Sequence, residues 1–488
     1  MKILIVSSEV TPFAKTGGLA DVAGSLPVAL AELGHDVRVA MPKYGAVDDE
    51  KFHLIPILGD IIVRLNGRTF TAHIKRSHLP GSRVPVYFVL NAGLFERDGL
   101  YGAEGRDFAD NATRFAFFCK AVVWLLKGLD WVPDIVHCND WQTALIPVFL
   151  RTQPDMTADP ALQQMKVVFT IHNLAYQGLF PLEEGPAIGI GPELLHPKAL
   201  EFYGKMNLMK GGLVFADALT TVSRRYAEEI QTPEFGCGLE GLLQERSGDL
   251  TGIMNGVDYG AWNPETDPLI PARYSSADLT GKAKCKAALQ AETGLAADAQ
   301  APLIGIISRL DRQKGFDLIA EALDTIVAAG AQIVLLGTGM PEYHTIFERA
   351  ARQHPGRVSA NLRFDNALAH HIEAGADMFL MPSRYEPCGL NQLYSLRYGT
   401  VPIVRATGGL ADSVTDATAA GIRSGKSTGF VFEDYTAAAL LKTVKRAIKL
   451  FGDRERWVQL MRNGMARDFS WTTAAGEYAA LYERLVKG

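Results

Sequence analysis

Short unbroken apolar runs recur along this 488-residue chain, each followed by a glycine-rich or polar turn and then by residues with helical spacing. Lys2-Ile3-Leu4-Ile5-Val6 is the first run, with the composition of a strand buried on both faces of a parallel sheet. Lys15-Thr16-Gly17-Gly18-Leu19-Ala20-Asp21 follows, and Ala20 to Leu33 has the periodicity of a helix. Strand, glycine turn and helix start together predict an anion cradle, because a helix N-terminus presents free amides and a positive dipole end. The spacing is not G-x-G-x-x-G, so no dinucleotide fingerprint is present. Residues 52 to 76 break the pattern, and Asn66-Gly67 between Val63-Arg64-Leu65 and Thr69-Phe70-Thr71 predicts an antiparallel hairpin. Val84 to Val89 returns to strand composition, Gly93 to Arg106 is a polar loop carrying Tyr101, and Asp107 to Lys127 is helical. Two further strands, Ile135-Val136-His137-Cys138-Asn139-Asp140 and Val167-Val168-Phe169-Thr170-Ile171-His172-Asn173, both end in His, Asn or Asp. One polar residue at a strand end is most often a helix cap; its recurrence on strands pointing the same way indicates a site.

Alternation resumes at Ala218 to Ser223, and Gly252 to Asp258, with Asn255, leads into Tyr259 to Arg273. That stretch holds Pro264, Pro268 and Pro271 with little periodicity and reads as an interdomain linker. Leu303 to Ser308 is a new buried strand, followed by Arg309, Lys314 and Gly315, which opens a helix over Phe316 to Ala329. Two cations beside a helix start suit a dianion, or are simply solvated surface charges. Arg363-Phe364-Asp365-Asn366 puts an aromatic at another loop entrance, able to stack on a flat ring, although composition favours a core position. The apolar run Met378 to Met381 precedes Pro382-Ser383-Arg384-Tyr385-Glu386-Pro387-Cys388-Gly389-Leu390-Asn391. Glu386 therefore lies at a strand's C-terminal end, where open α/β sheets bind ligands, or is merely an acidic residue favoured in a first helical turn. Thr16-Gly17-Gly18-Leu19-Ala20-Asp21 recurs letter for letter as Thr407-Gly408-Gly409-Leu410-Ala411-Asp412, once in each half. The echo suggests two similar doubly wound domains facing one cleft, each offering a glycine-rich helix start. The tail, from Thr436 onward, is helical.

Length argues for two domains, since one core rarely serves so many residues. A net charge of −5 and a pI near 6.2, with no long Lys/Arg run, argue against nucleic acid as a partner. Five cysteines, odd in number and without a C-x-x-C pair, argue against a disulfide framework or zinc site and fit a reducing cytoplasm. The start carries no basic stretch and no 18-residue apolar span, so neither export nor a membrane is expected.

Taken together, Lys15-Thr16-Gly17-Gly18-Leu19, Thr170-Ile171-His172-Asn173, Arg309 with Lys314, Glu386-Pro387-Cys388-Gly389-Leu390 and Thr407-Gly408-Gly409-Leu410 resemble the ADP-glucose-using glycosyltransferases of family 5. These are the bacterial glycogen synthases and the catalytic part of plant starch synthases. The resemblance implies an α/β GT-B fold, with an acceptor-side Rossmann-like domain over 1–252 joined by a returning helix, 472–488, and a nucleotide-sugar domain over 253–471. It implies retaining transfer of glucose from ADP-glucose to the 4-hydroxyl at the non-reducing end of an α-1,4-glucan. No metal or other cofactor is implied, and no Asp-x-Asp pair is present. Lys15 and Gly18 would contact the donor diphosphate, and Arg309 and Lys314 would neutralise it as it leaves. Glu386 would accept hydrogen bonds from the glucose hydroxyls, with Cys388 and Gly389 supplying backbone contacts, and His172 would fix the sugar near its anomeric carbon. Asp140, Tyr101 and Asn255 would be neighbouring sugar contacts. Phe364 stands where the family often has Tyr and would stack on adenine; the ribose would lie near Leu390 and Asn391. Gly17, Asp21, Asn173, Thr407, Gly408 and Gly409 complete the expected substrate-binding set. A UDP-glucose enzyme of the same fold and a non-catalytic glucan-binding homologue are the alternatives.

Overall fold

The computed structural model describes residues 1–103 and 105–487. Contacts divide the chain into two units, one of residues 1–222, 227–256 and the stretch from Trp471 onward, the other of residues 223–226 and 257–470. Both are α/β, as the repeating runs of the sequence require.

The first unit is built on nine strands: β1 (Lys2–Val6), β2 (Asp36–Pro42), β3 (Ile55–Leu65), β4 (Arg68–His78), β5 (Pro85–Leu90), β6 (Ile135–Asn139), β7 (Lys166–Ile171), β8 (Ala218–Thr221) and β9 (Leu250–Gly252). Their order is β9-β8-β7-β6-β1-β2-β5-β4-β3. The seven strands from β9 to β5 are parallel, and β4 and β3 add an antiparallel edge. The expected hairpin is this edge: Asn66 and Gly67 both take positive φ, 40° and 77°, as a type I′ turn requires, and Val63 pairs with Phe70. The last helix, Trp471–Lys487, packs on β1 and on the helix Gly18–Glu32. Its Ala474, Ala475, Tyr478, Ala479 and Tyr482 form one buried stripe against Ile3, Ile5, Leu26 and Leu30. The Tyr482 hydroxyl reaches His137 Nδ1 at 2.6 Å. The order reverses between β1 and β6, whose chains continue in opposite directions across the sheet; outside the C-terminal ends of such strands is where open α/β sheets bind ligands.

The second unit has six parallel strands: β10 (Leu303–Ile307), β11 (Gln332–Leu336), β12 (Val358–Asn361), β13 (Met378–Met381), β14 (Val401–Arg405) and β15 (Phe430–Phe432). Their order, β12-β11-β10-β13-β14-β15, is the doubly wound 3-2-1-4-5-6 arrangement. Apolar clusters cover both faces, one around Ile304, Ile319, Leu335 and Leu440, the other around Leu303, Val334, Leu368 and Phe379. The reversal lies between β10 and β13, the two strands that precede Arg309–Gly315 and Pro382–Leu390.

The proline-containing stretch from Tyr259 to Arg273 is not a linker but part of the second unit. Trp262 is stacked between His370, at 3.9 Å, and Tyr394, at 4.1 Å, with interplanar angles of 10° and 3°. Asp267 is buried and pairs with His370 Nδ1 at 2.8 Å while also accepting the Tyr398 hydroxyl. The prolines fix an irregular path, and side-chain packing replaces the missing ladder of backbone bonds.

Candidate active site

At the reversal of the second sheet, the loops after β10 and β13 interlock. Asp311 Oδ1 accepts the Lys314 amide at 3.0 Å and turns the loop, and Gly315 takes φ 78° with its α-carbon against the Pro382 carbonyl. A β-carbon there would come within 2.2 Å of that oxygen, so glycine is required both by conformation and by space. Lys314 is thereby directed onto Glu386, and its Nζ lies 2.9 and 2.7 Å from the two carboxylate oxygens. Glu386 is 4% exposed and also accepts the Ser383 hydroxyl at 2.9 Å. Arg309 is largely exposed, 3.7 Å from Asp311.

The second Thr-Gly-Gly turn closes on the same loop. Gly408 takes φ 43°, and a β-carbon there would sit 1.9 Å from the Glu386 carbonyl oxygen; one on Gly409 would sit 2.0 Å from that of Cys388. Gly409 N–H donates to the Glu386 carbonyl at 3.1 Å. Gln392 Nε2 donates to the Cys388 and Gly389 carbonyls, and Asn391 Nδ2 to the Ile307 carbonyl at 2.6 Å, tying the end of β10 to the start of the helix Asn391–Tyr398, which Leu390 precedes. Expected residues Lys314, Glu386, Cys388, Gly389, Asn391, Gly408 and Gly409 are thus one connected group, with Thr407 immediately before the short helix Gly408–Ser413. Phe364 is outside it. At 88% exposed it is not a core residue, because Arg363 and Asp365 pair beside it at 2.9 Å and turn the loop outward.

In the first unit, the ends of β1, β6 and β7 are stitched by side chains. Asn139 Nδ2 donates to the Val6 carbonyl at 3.0 Å, and its Oδ1 faces His172 Nε2 at 2.8 Å. Burial lowers His172 to about 3, so the ring is neutral with its proton on Nε2 toward that oxygen. Asp140 takes φ 56°, uncommon without glycine, and so presents Oδ1 to the His172 N–H at 2.8 Å. Burial pushes its carboxyl up to about 7, opposed by the His172 and Asn173 amides and reinforced by the charge of Glu9. Asp140 and His172 therefore form a direct pair, with Asn173 next in the chain. Asn255 follows β9 at the sheet's edge; it is 5% exposed, and its Oδ1 has no hydrogen-bond partner among the described residues.

Glu9, a residue given no site role in the sequence, organises the glycine turn. It is 3% exposed and accepts the amides of Thr16 and Gly17, the latter at 3.2 Å, the Thr16 hydroxyl at 2.6 Å and the Tyr101 hydroxyl at 2.6 Å. Ser8 Oγ lies 2.7 Å from the same Tyr101 oxygen. The expected anion cradle is therefore corrected: two of its amides already hold an internal carboxylate. Burial raises Tyr101 well above its ordinary value, so it stays a hydroxyl. Lys15 pairs with Asp21 at 2.7 Å while half exposed, ahead of Gly18, where the helix begins. Polar residues directly after an apolar strand, Ser7-Ser8-Glu9, were the available signal.

A family model described as the starch synthase catalytic domain matches residues 2–245, and one described as glycosyl transferases group 1 matches residues 292–463. A glycogen synthase from Anaeromyxobacter dehalogenans (strain 2CP-1) is 52% identical, with all of both chains covered. The chain belongs to the glycogen synthase family. Within that family, glycogen synthase 1 of Methylococcus capsulatus is 48% identical over all of this chain and 97% of its own. The catalytic domain of starch synthase IV from Arabidopsis thaliana, solved bound to ADP and acarbose, superposes with a TM-score of 0.91 at 35% identity, covering 100% of this chain and 99% of that one. The two Rossmann-like units are accordingly the GT-B fold of this family. Among the described residues no helix is long and apolar enough to cross a membrane.

Proposed function

We propose that the chain transfers glucose from ADP-glucose to the 4-hydroxyl at the non-reducing end of an α-1,4-glucan, with retention at the anomeric carbon. The observation that carries this reading is the Lys314–Glu386 pair at the strand reversal of the second sheet, within a full-length match to glycogen synthases. Breaking the C1–O bond builds negative charge on the departing diphosphate and positive charge on the sugar, so a cation beside a carboxylate serves both sides of the transition state. Lys314 and Arg309 take the diphosphate, with Lys15 and Gly18 as further contacts. Glu386 accepts from the glucose hydroxyls and balances the charge growing on the ring, with the Cys388 and Gly389 backbone beside it. Neutral His172, oriented by Asn139 and Asp140, holds the sugar near C1; Tyr101, Asn173 and Asn255 bind sugar hydroxyls. Phe364 stacks on adenine, its exposure leaving both ring faces accessible. Leu390 and Asn391 line the ribose, and Asp21, Gly17, Thr407, Gly408 and Gly409 shape the phosphate turns. The cytoplasm is its proposed location, on the cysteine pattern given above.

Turnover with glycogen as primer tests the reading. ADP release from ADP-glucose with lengthening of the glucan is expected, with UDP-glucose a poorer donor. Preference for UDP-glucose would transfer the reading to the alternative donor, and no release from either would leave a glucan-binding homologue.

A further inference from the structure

Glu9 stands three residues beyond the end of β1, almost completely buried, with donors on both carboxylate oxygens. The Thr16 and Gly17 amides face Oε2, and the Thr16 and Tyr101 hydroxyls face Oε1. A carboxylate offers about four lone-pair sites, and here four donors fill them. A strand followed by a glycine turn and a helix is a common seat for a bound anion; in this chain a side chain occupies part of that seat permanently.

We propose that Glu9 is a positioning residue, a built-in anion that pins the Lys15–Gly18 turn to Tyr101 and turns a negatively charged ligand away from the Thr16 and Gly17 amides, toward Lys15 and the helix start. This inference rests on the transfer reading above. A merely structural carboxylate would, on removal, weaken ligand binding and turnover together. An internal anion behaves differently: its removal unmasks two amides for a ligand phosphate, so the diphosphate binds more tightly in the wrong place while the reaction slows.

Two substitutions separate charge from shape. Glu9→Gln can keep the geometry, its Oε1 toward the amides and its NH₂ toward two hydroxyls that are able to accept, while losing the charge. Glu9→Ala vacates the seat. In Glu9→Ala the Thr16 and Gly17 amides are expected to exchange with deuterium faster by about tenfold or more, the worth of bonds to a charged group. Glucose transfer should fall by a similar factor, ADP should bind about threefold tighter through loss of a nearby like charge, and added formate should reverse all three effects by refilling the seat. Glu9→Gln should show near-normal exchange with tighter ADP binding and reduced turnover. Unchanged amide exchange in Glu9→Ala, or ADP binding weakened in step with turnover and insensitive to formate, would overturn the proposal. The exchange and ADP-binding measurements need no turnover, so an unmodified chain that fails to use ADP-glucose counts against the transfer reading and leaves these two arms to decide on Glu9.

Discussion

Lys314→Ala separates the stabilising part of the central ion pair from its chemical part. In the native chain Glu386 is 4% exposed and shares both carboxylate oxygens with Lys314 Nζ; after the substitution the Ser383 hydroxyl is what remains of that set. Removing one partner of a buried pair costs about 3–5 kcal/mol, and because the Lys314 side chain is 20% exposed, admitting some water, the lower figure, about 3 kcal/mol, applies here. On the proposed role of Lys314 toward the leaving diphosphate, losing this preorganised cation should independently raise the barrier by about 3 kcal/mol, on the order of a hundredfold in kcat. Calorimetric unfolding of the full chain, read on the transition of the second unit, measures the first quantity; ADP release measures the second. The double variant Lys314→Ala with Glu386→Gln should regain most of the stability and none of the activity. A Lys314→Ala protein as stable as the parent at neutral pH, or a double variant no more stable than the single one, would show that the pair is not desolvated as described.

Further outcomes follow from the same structure. Asp140, raised to about 7 against an ordinary 3.8, binds its proton more tightly folded than unfolded, so its contribution to stability is full below pH 3.8 and is lost as the pH rises toward 7; Asp140→Asn should flatten unfolding free energy between about pH 4 and pH 7, and an unaltered slope would contradict this. Gly408→Ala meets both a left-handed φ and a carbonyl 1.9 Å from the new β-carbon, and should cost more than about 2 kcal/mol with loss of transfer; Gly17→Ala, at φ −155° with nothing within 4 Å, should fold normally. Trp262→Ala should lower the stability of the second unit by about 1–3 kcal/mol from its two stacked faces and open residues 259–273 to protease, whereas a true linker would be cut in the parent chain as readily. Phe364→Ala should leave stability within about 0.5 kcal/mol and raise KM for the donor with kcat little altered, read by initial rates over a donor series.

The α/β class, the alternation of strands and helices, the edge hairpin and the positions of the polar strand ends were legible in the sequence, because each depends on local periodicity and turn chemistry. That Lys314 and Glu386, 72 positions apart, belong to one site was legible only through the family's motifs. The role of Glu9 was not legible, because nothing in a lone acidic residue near the first strand says that Thr16, Gly17 and Tyr101 will turn toward it. The 259–273 stretch misled for the converse reason: prolines remove local periodicity, but Trp262 and Asp267 find partners more than a hundred residues away.

The two copies of Thr-Gly-Gly-Leu-Ala-Asp mark the division most sharply. From its letters alone the chain determined that each copy would make a tight turn into a helix. Folding decided the rest: Gly17 is extended and uncrowded with its amide on Glu9, while Gly408 is left-handed and pressed against the Glu386 carbonyl. Likewise Lys15 rests on Asp21 and Lys314 on Glu386, pairings that no spacing rule contains. Local conformation follows from neighbours along the chain, whereas burial and charge pairing depend on which backbones the sheet order brings side by side.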